Sequence, residues 1–203
     1  MKRYPAIATL EFRDITVGMH ATDALLKKAP ISLLKCGVIS QGRYLSLIAG
    51  STASVQESYE EGLFWGKDGV IDHVFLPDVA DPLYEAVFGH RAACQGGAIG
   101  IIETQTSSCN ILATERMLKG TPVTLVELRI ADSLLHGKGV SIVSGELYDV
   151  EAAVEMAVDF LAAKQRPVLH KVITQTHEAL AAQIEWNTSF GDAASTNLHG
   201  ELP

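Results

Sequence analysis

Ala21-Thr22-Asp23-Ala24-Leu25-Leu26-Lys27-Lys28-Ala29-Pro30 and Ala113-Thr114-Glu115-Arg116-Met117-Leu118-Lys119-Gly120-Thr121-Pro122 carry one pattern twice: Ala-Thr, an acidic residue, Leu or Met before Leu-Lys, then Pro. Working upstream in the same register, Ala6-Ile7 and Glu11 meet Ala98-Ile99 and Glu103. Downstream, Ile31-Ser32-Leu33 meets Val123-Thr124-Leu125. A glycine-bearing tip follows in each copy, Ser40-Gln41-Gly42-Arg43 and Leu135-His136-Gly137-Lys138, and the second is the longer. Beyond the tips, Gly50 meets Gly145 and Val55 meets Val150. Self-similarity over this length marks a tandem duplication, so the fold of one copy is the fold of both.

Each copy reads as strand, helix, strand, tip, strand, helix, strand. Apolar runs of strand length at Ile7–Phe12 and Ile99–Glu103 open the copies. Helices follow over Val17–Lys28 and Asn110–Lys119, and Pro30 and Pro122 stop them because the residue before proline is pushed out of helical geometry. Strands Ile31–Val38 and Val123–Ala131 enter the tips, and Tyr44–Ala49 and Val140–Ser144 leave them. The second helices are expected to start with Ser54 and Asp149 as N-caps, with a capping box from Ser54 to Glu57. Closing strands lie at Val70–Leu76 and Val168–Ile173. The order β-α-β-β-α-β is the ferredoxin-like arrangement, an α+β class. The expected division is a first domain over 1–90, a Gly-rich linker over 91–97, a second domain over 98–186, and a tail over 187–203 that is disordered or weakly docked.

Composition narrows the function. A net charge of −8, with no run of basic residues, argues against a nucleic-acid surface. No apolar stretch has the length of a membrane span, and the start of the chain lacks the pattern of a signal peptide. Cys36, Cys94 and Cys109 show no C-x-x-C spacing, which fits a reducing, cytoplasmic setting. Gly96, Gly97 and Gly100 precede a strand, whereas a dinucleotide loop follows one. The histidines have no ligand spacing, and Glu11 and Glu103 read as repeated structural carboxylates. No nucleophile, base and oxyanion donor assemble, so the chain reads as a non-enzyme without metal or cofactor.

Leu10-Glu11, Ala21–Ala29, the tip, and the alternating strand ending at Gly50 resemble the shell-protein domain of bacterial microcompartments. Ile101–Thr104, Ala113–Lys119 and Gly145–Val150 repeat it, so the likeness spans residues 6–185 in unpermuted order. It is to the tandem class, as in propanediol-utilisation compartments. That resemblance implies homotrimers posing as hexamers, tiled edge to edge with other shell proteins in the cytoplasm, and a central pore for small polar metabolites. It places Lys27 and Lys119 at the tile edge, and Ser40, Gln41, Gly42, Leu135, His136 and Gly137 at the pore. Glycines suit such tips because they tolerate positive φ. His136 would make the lining's charge depend on pH, and Arg43 and Lys138 beside the tips would either favour anions or point along the strand into a tile face.

Two departures bear on these implications. Where the propanediol-type relative has an iron–sulfur ligand in its first tip, this chain has Ser40, a poor cluster ligand, and Cys36 is expected to be a buried strand thiol. Many shell domains end in Arg-Pro-His, whereas here Leu76-Pro77-Asp78 and Thr174–His177 stand. Two rival readings remain: a ferredoxin-like oligomer that binds a small effector, and a metal-carrying tile with three His136 side chains on an axis.

Overall fold

The computed structural model describes residues 4–198 and Gly200. The first domain runs β1 (Ala6–Phe12), α1 (Ile15–Lys28), β2 (Leu33–Ile39), β3 (Arg43–Gly50), α2 (Thr52–Gly66) and β4 (Val70–Leu76), followed by a short helix α3 (Asp81–Val87). The second runs β5 (Ala98–Thr104), α4 (Ser107–Gly120), β6 (Thr124–Arg129), β7 (Gly139–Gly145), α5 (Leu147–Ala163) and β8 (Val168–Ile173), followed by α6 (Glu178–Trp186). The sheets have the orders β2-β3-β1-β4 and β6-β7-β5-β8, and all their pairings are antiparallel. This is the ferredoxin-like arrangement expected from the repeat, twice over.

The first strand of each sheet is central, which explains its composition. All seven residues of β1 are buried, the polar Thr9 and Glu11 among them, so the strand is packed on both faces of the sheet. On one side, α1 and α2 pack Ala21, Leu25 and Val55 over Ala8, Leu10 and Ile48. On the other, Ile7, Leu47 and Ala49 belong to one apolar cluster with Leu83 and Val87 of α3. Thr22 ties α1 to β3 through a hydroxyl contact of 2.5 Å with Ser46. Gly18 lets α1 approach closely, since a Cβ there would lie 2.7 Å from Tyr44.

Two expectations need correction. The second helices start three residues early. Ser51, not Ser54, caps α2 by accepting the Ser54 N–H at 3.3 Å, and Glu146, not Asp149, precedes α5. The chain turns into each helix directly after the strand-ending glycine, so the residue beside that turn becomes the cap. Helices α3 and α6 were not expected, because each is too short to show a sustained period. Asp81 and Pro82 do suit the first turn of α3. In the tail, Phe190–Asp192 form a 3-10 turn, and Gln183 donates to the Ala194 carbonyl at 2.8 Å.

The two domains share one apolar cluster, which includes Ile7, Leu76, Val79 and Leu83 from the first and Ile102, Ile111 and Leu128 from the second. Polar contacts line the seam. Thr9 and Ser108 hydroxyls meet at 2.8 Å, and Glu115 accepts the Ala80 N–H at 3.1 Å. The segment after α3 crosses onto the second domain, where Ala92 donates to the Val126 carbonyl at 3.3 Å and Arg91 pairs with Glu127.

Candidate functional site: the paired tips and the seam beneath them

The first tip is a 3-10 turn, Ser40–Gly42, with Gln41 at φ 64° and Gly42 at φ 69°. The second is a 3-10 turn, Ser133–Leu135, leading into His136 at φ 50° and Gly137 at φ 82°. Consecutive left-handed residues reverse the chain within each tip, which accounts for the glycine in each. The structure brings the tips together: Ser40 Oγ donates to the Asp132 carbonyl at 3.4 Å. Gln41, Gly42 and His136 are exposed, whereas Ser40 and Leu135 are partly buried. Gly137 is buried, because the Arg43 side chain lies over it; a Cβ at Gly137 would stand 2.6 Å from Arg43 Nη1. Leu134, at 63% exposed, presents more surface than Leu135. Sequence reasoning missed it because the insertion in the longer tip hides the register there.

The cations beside the tips are not free. Arg43 pairs with Glu11 at 3.3 Å, and Lys138 pairs with Glu103 at 2.6 Å, so each domain sets the glutamate of its first strand against the basic residue after its tip. Their use as free anion-attracting charges is therefore corrected.

Glu11 has a second task. It is fully buried, and its other oxygen accepts the Ser107 N–H at 3.0 Å, at the start of α4. Burial pushes its pKa up to about 7, against the lowering effect of Arg43 and the helix amides. Nearby, Asp72 accepts from the Thr106 hydroxyl and pairs with Arg166 at 2.7 Å. Cys109 lies buried beside this cluster, and burial raises its pKa. Cys36, by contrast, is exposed on β2, correcting the expectation of a buried thiol. On edge strand β2, Leu34, Cys36 and Val38 are exposed. Asp132 accepts from the Leu134 N–H at 2.7 Å and pairs with Arg129, holding the base of the second tip.

The two lysines differ in setting. Lys27 pairs only locally, with Asp23 at 2.5 Å, and its side chain is 73% exposed. Lys119 pairs with Glu115 at 2.8 Å and donates to the carbonyl of Asp78 in the first domain. No group of three or more His, Cys, Asp or Glu side chains placed to hold a metal occurs among the described residues.

A model of the BMC domain, the bacterial microcompartment shell domain, matches residues 6–79 and again 98–176. The chain belongs to the BMC-domain family. It is a microcompartment shell protein with two BMC domains in tandem. It is 32% identical over 179 residues to the bacterial microcompartment shell protein PduT of Citrobacter freundii, spanning 88% of this chain and 97% of that one. A microcompartment protein from Desulfitobacterium hafniense superimposes with a TM-score of 0.76 at 30% identity, over 89% of this chain and 99% of the other. A fused permuted hexameric shell protein of the RMM microcompartment matches with a TM-score of 0.57 at 20% identity, over 81% and 88% of the two chains, and supports the fold alone. Both BMC matches stop short of α6, the element in which the described residues expose Trp186.

Proposed function

We propose that three copies of this chain close around an axis into a pseudohexagonal, non-catalytic tile, which joins other shell proteins edge to edge in a cytoplasmic microcompartment. One observation carries this reading. Helix α4 buries a second face against β4 of the first domain, while the matching face of α1 and the matching edge at β8 lie open. A further copy, set down by repeating the internal seam, fills both.

Six tips then surround the axis, with Ser40, Gln41, Gly42, Leu135, His136 and Gly137 at or beneath the lining. Because Arg43 and Lys138 are held in pairs with Glu11 and Glu103, the lining offers hydroxyl, amide and imidazole groups in place of free cations. Such groups replace the hydration of a small polar metabolite as it passes, which is how a narrow pore selects. Lys27 and Lys119 stand toward the tile edge. No resident cofactor enters this reading.

The test is electron microscopy of the purified chain together with its mass in solution. Trimers that grow into sheets or tubes are expected, and a monomer at micromolar concentration would overturn the tile. Gln41→Ala and His136→Ala are expected to change solute passage or binding at the axis while leaving the trimer intact. Unchanged passage in both would remove the pore assignment.

A further inference from the structure

The internal seam gives β6 a cover that β2, its counterpart, lacks. The segment after α3 lies on β6 with Ala92 N–H bonded to Val126, Cys94 N–H bonded to the Glu185 carboxylate at 2.7 Å, and Arg91 paired with Glu127. Leu125, Glu127 and Leu128 are buried there, Glu127 against Arg91 and the two leucines in the cluster shared by both domains. Strand pairing equates these with Leu34, Lys35 and Cys36, since Leu125 and Leu34 oppose Val143 and Ile48, the same position of the third strand in each sheet. Yet Leu34, Lys35, Cys36 and Val38 are all exposed. The counterpart of α3 and its following segment is α6 and the tail, which holds Trp186 at 70% exposed and Phe190 at 95%.

We propose that the C-terminal segment Trp186–Asp192 of one copy crosses onto β2 of the next copy, as the segment after α3 crosses onto β6 within one chain. The proposal rests on the trimeric reading and adds to it a named surface and a named occupant. Two complementarities favour this occupant. A cavity of about 410 Å³ opens along β2, bounded by Lys35 and Val38, by Phe88 at the end of α3, and by Leu128 and Ile130. The internal cover carries small Ala92 and Ala93, whereas the tail carries Phe190, a side chain large enough for a site that stands empty of protein. The signs of charge also exchange. Glu127 is met by Arg91, while Lys35 at the matching register faces a tail that carries Asp192. Burying Phe190 and Val38 together removes two exposed large apolar side chains, the first of them at 95% exposed.

Cys36 reports on this contact. In a Cys94→Ser background, with Cys109 buried, maleimide labels chiefly Cys36. The labelling rate is compared between the full chain, a chain ending at Trp186, and a full-length Phe190→Asp variant, each with its mass measured by light scattering. The expectation is a trimer in all three, with labelling of Cys36 at least about tenfold slower in the full chain than in the other two. Equal rates in trimers overturn the tail contact and leave the tile standing. A monomeric full chain overturns the tile reading itself, so the two failures are distinguishable.

Discussion

Helices α1 and α4 have the same length, the same threonine bond to the preceding turn, and the same Leu-Lys ending, yet they live in different surroundings. Thr22 and Thr114 each donate back to the carbonyl four residues earlier, at 2.7 and 2.8 Å, which fixes the correspondence of the two helices. The face toward the sheet is buried in both. On the other face Ser108, Ile111 and Glu115 are buried, whereas their counterparts Thr16, Met19 and Asp23 are exposed. The difference shows what a duplicated domain does with a surface built for association. One copy of that surface is satisfied within the chain, and the other is left for a second chain. Position 19 keeps a large apolar side chain at 53% exposed, which a solvated helix face does not require.

The same substitution at the two corresponding positions should therefore have opposite consequences. Ile111 lies on the stripe between Ser108 and Glu115, both of which touch the first domain. Ile111→Asp places an unpaired charge in the fully buried seam and is expected to cost roughly 5 kcal/mol or more, enough to unfold the chain or part its domains. Met19→Asp should leave the melting of the single chain nearly unchanged and abolish the trimer. Thermal unfolding and light scattering together separate the outcomes. If Met19→Asp still forms trimers, the correspondence between the two faces fails.

How far this was legible in the sequence follows from the same comparison. The duplication, the strand order and the two main helices of each domain could be read from Ala21–Pro30 and its echo, because local pattern and proline stops act on a few neighbouring residues. The seam could not be read. Nothing in a helical period distinguishes Ile111 from Met19, since both are apolar residues off the main stripe, and only tertiary packing assigns one to a seam. The tips were legible through their glycines, but the neutralisation of Arg43 and Lys138 was hidden, because Glu11 and Glu103 lie a helix and a strand away in sequence. Short α3 and α6 were missed for want of period, and the exposure of Cys36 was missed because β2 looks like any apolar strand until its missing neighbour is noticed.

A second test probes the chemistry of the internal seam, where the buried carboxyl of Glu11 has a folded-state pKa of about 7 against an ordinary value near 4.5. Its folded pKa is raised, so the folded chain holds a proton between these values that the unfolded chain has lost. Stability due to this group is full below pH ~4.5, falls as pH rises to about 7, and then stays low. Glu11→Gln removes that titration while keeping the shape that accepts the Ser107 N–H. The stability of the variant minus that of the parent is therefore expected to grow by about 3 kcal/mol between pH 4.5 and 7 and to level off above it. A difference independent of pH would show that Arg43 and the start of α4 keep the carboxylate charged throughout.

The smallest expected effect sharpens the comparison at the far ends of the same helices. Lys119 joins Glu115 to the Asp78 carbonyl across the seam, and Glu115 in turn holds the Ala80 N–H. Lys119→Ala should cost about 1 kcal/mol in urea unfolding, since one partner is buried while the ammonium is half-exposed. Lys27 has only its exposed partner Asp23 on its own helix, so Lys27→Ala should change stability by less than about 0.5 kcal/mol. Assembly should rank the pair the other way: with its ammonium paired only to an exposed residue of its own helix, Lys27 has more to give at a contact between tiles. Growth of sheets should therefore fall further in Lys27→Ala than the small loss in stability explains. Normal sheets from Lys27→Ala would assign that lysine to solvent, and its presence at both helix ends would then reflect only the favourable placing of a cation where the helix carbonyls are unpaired.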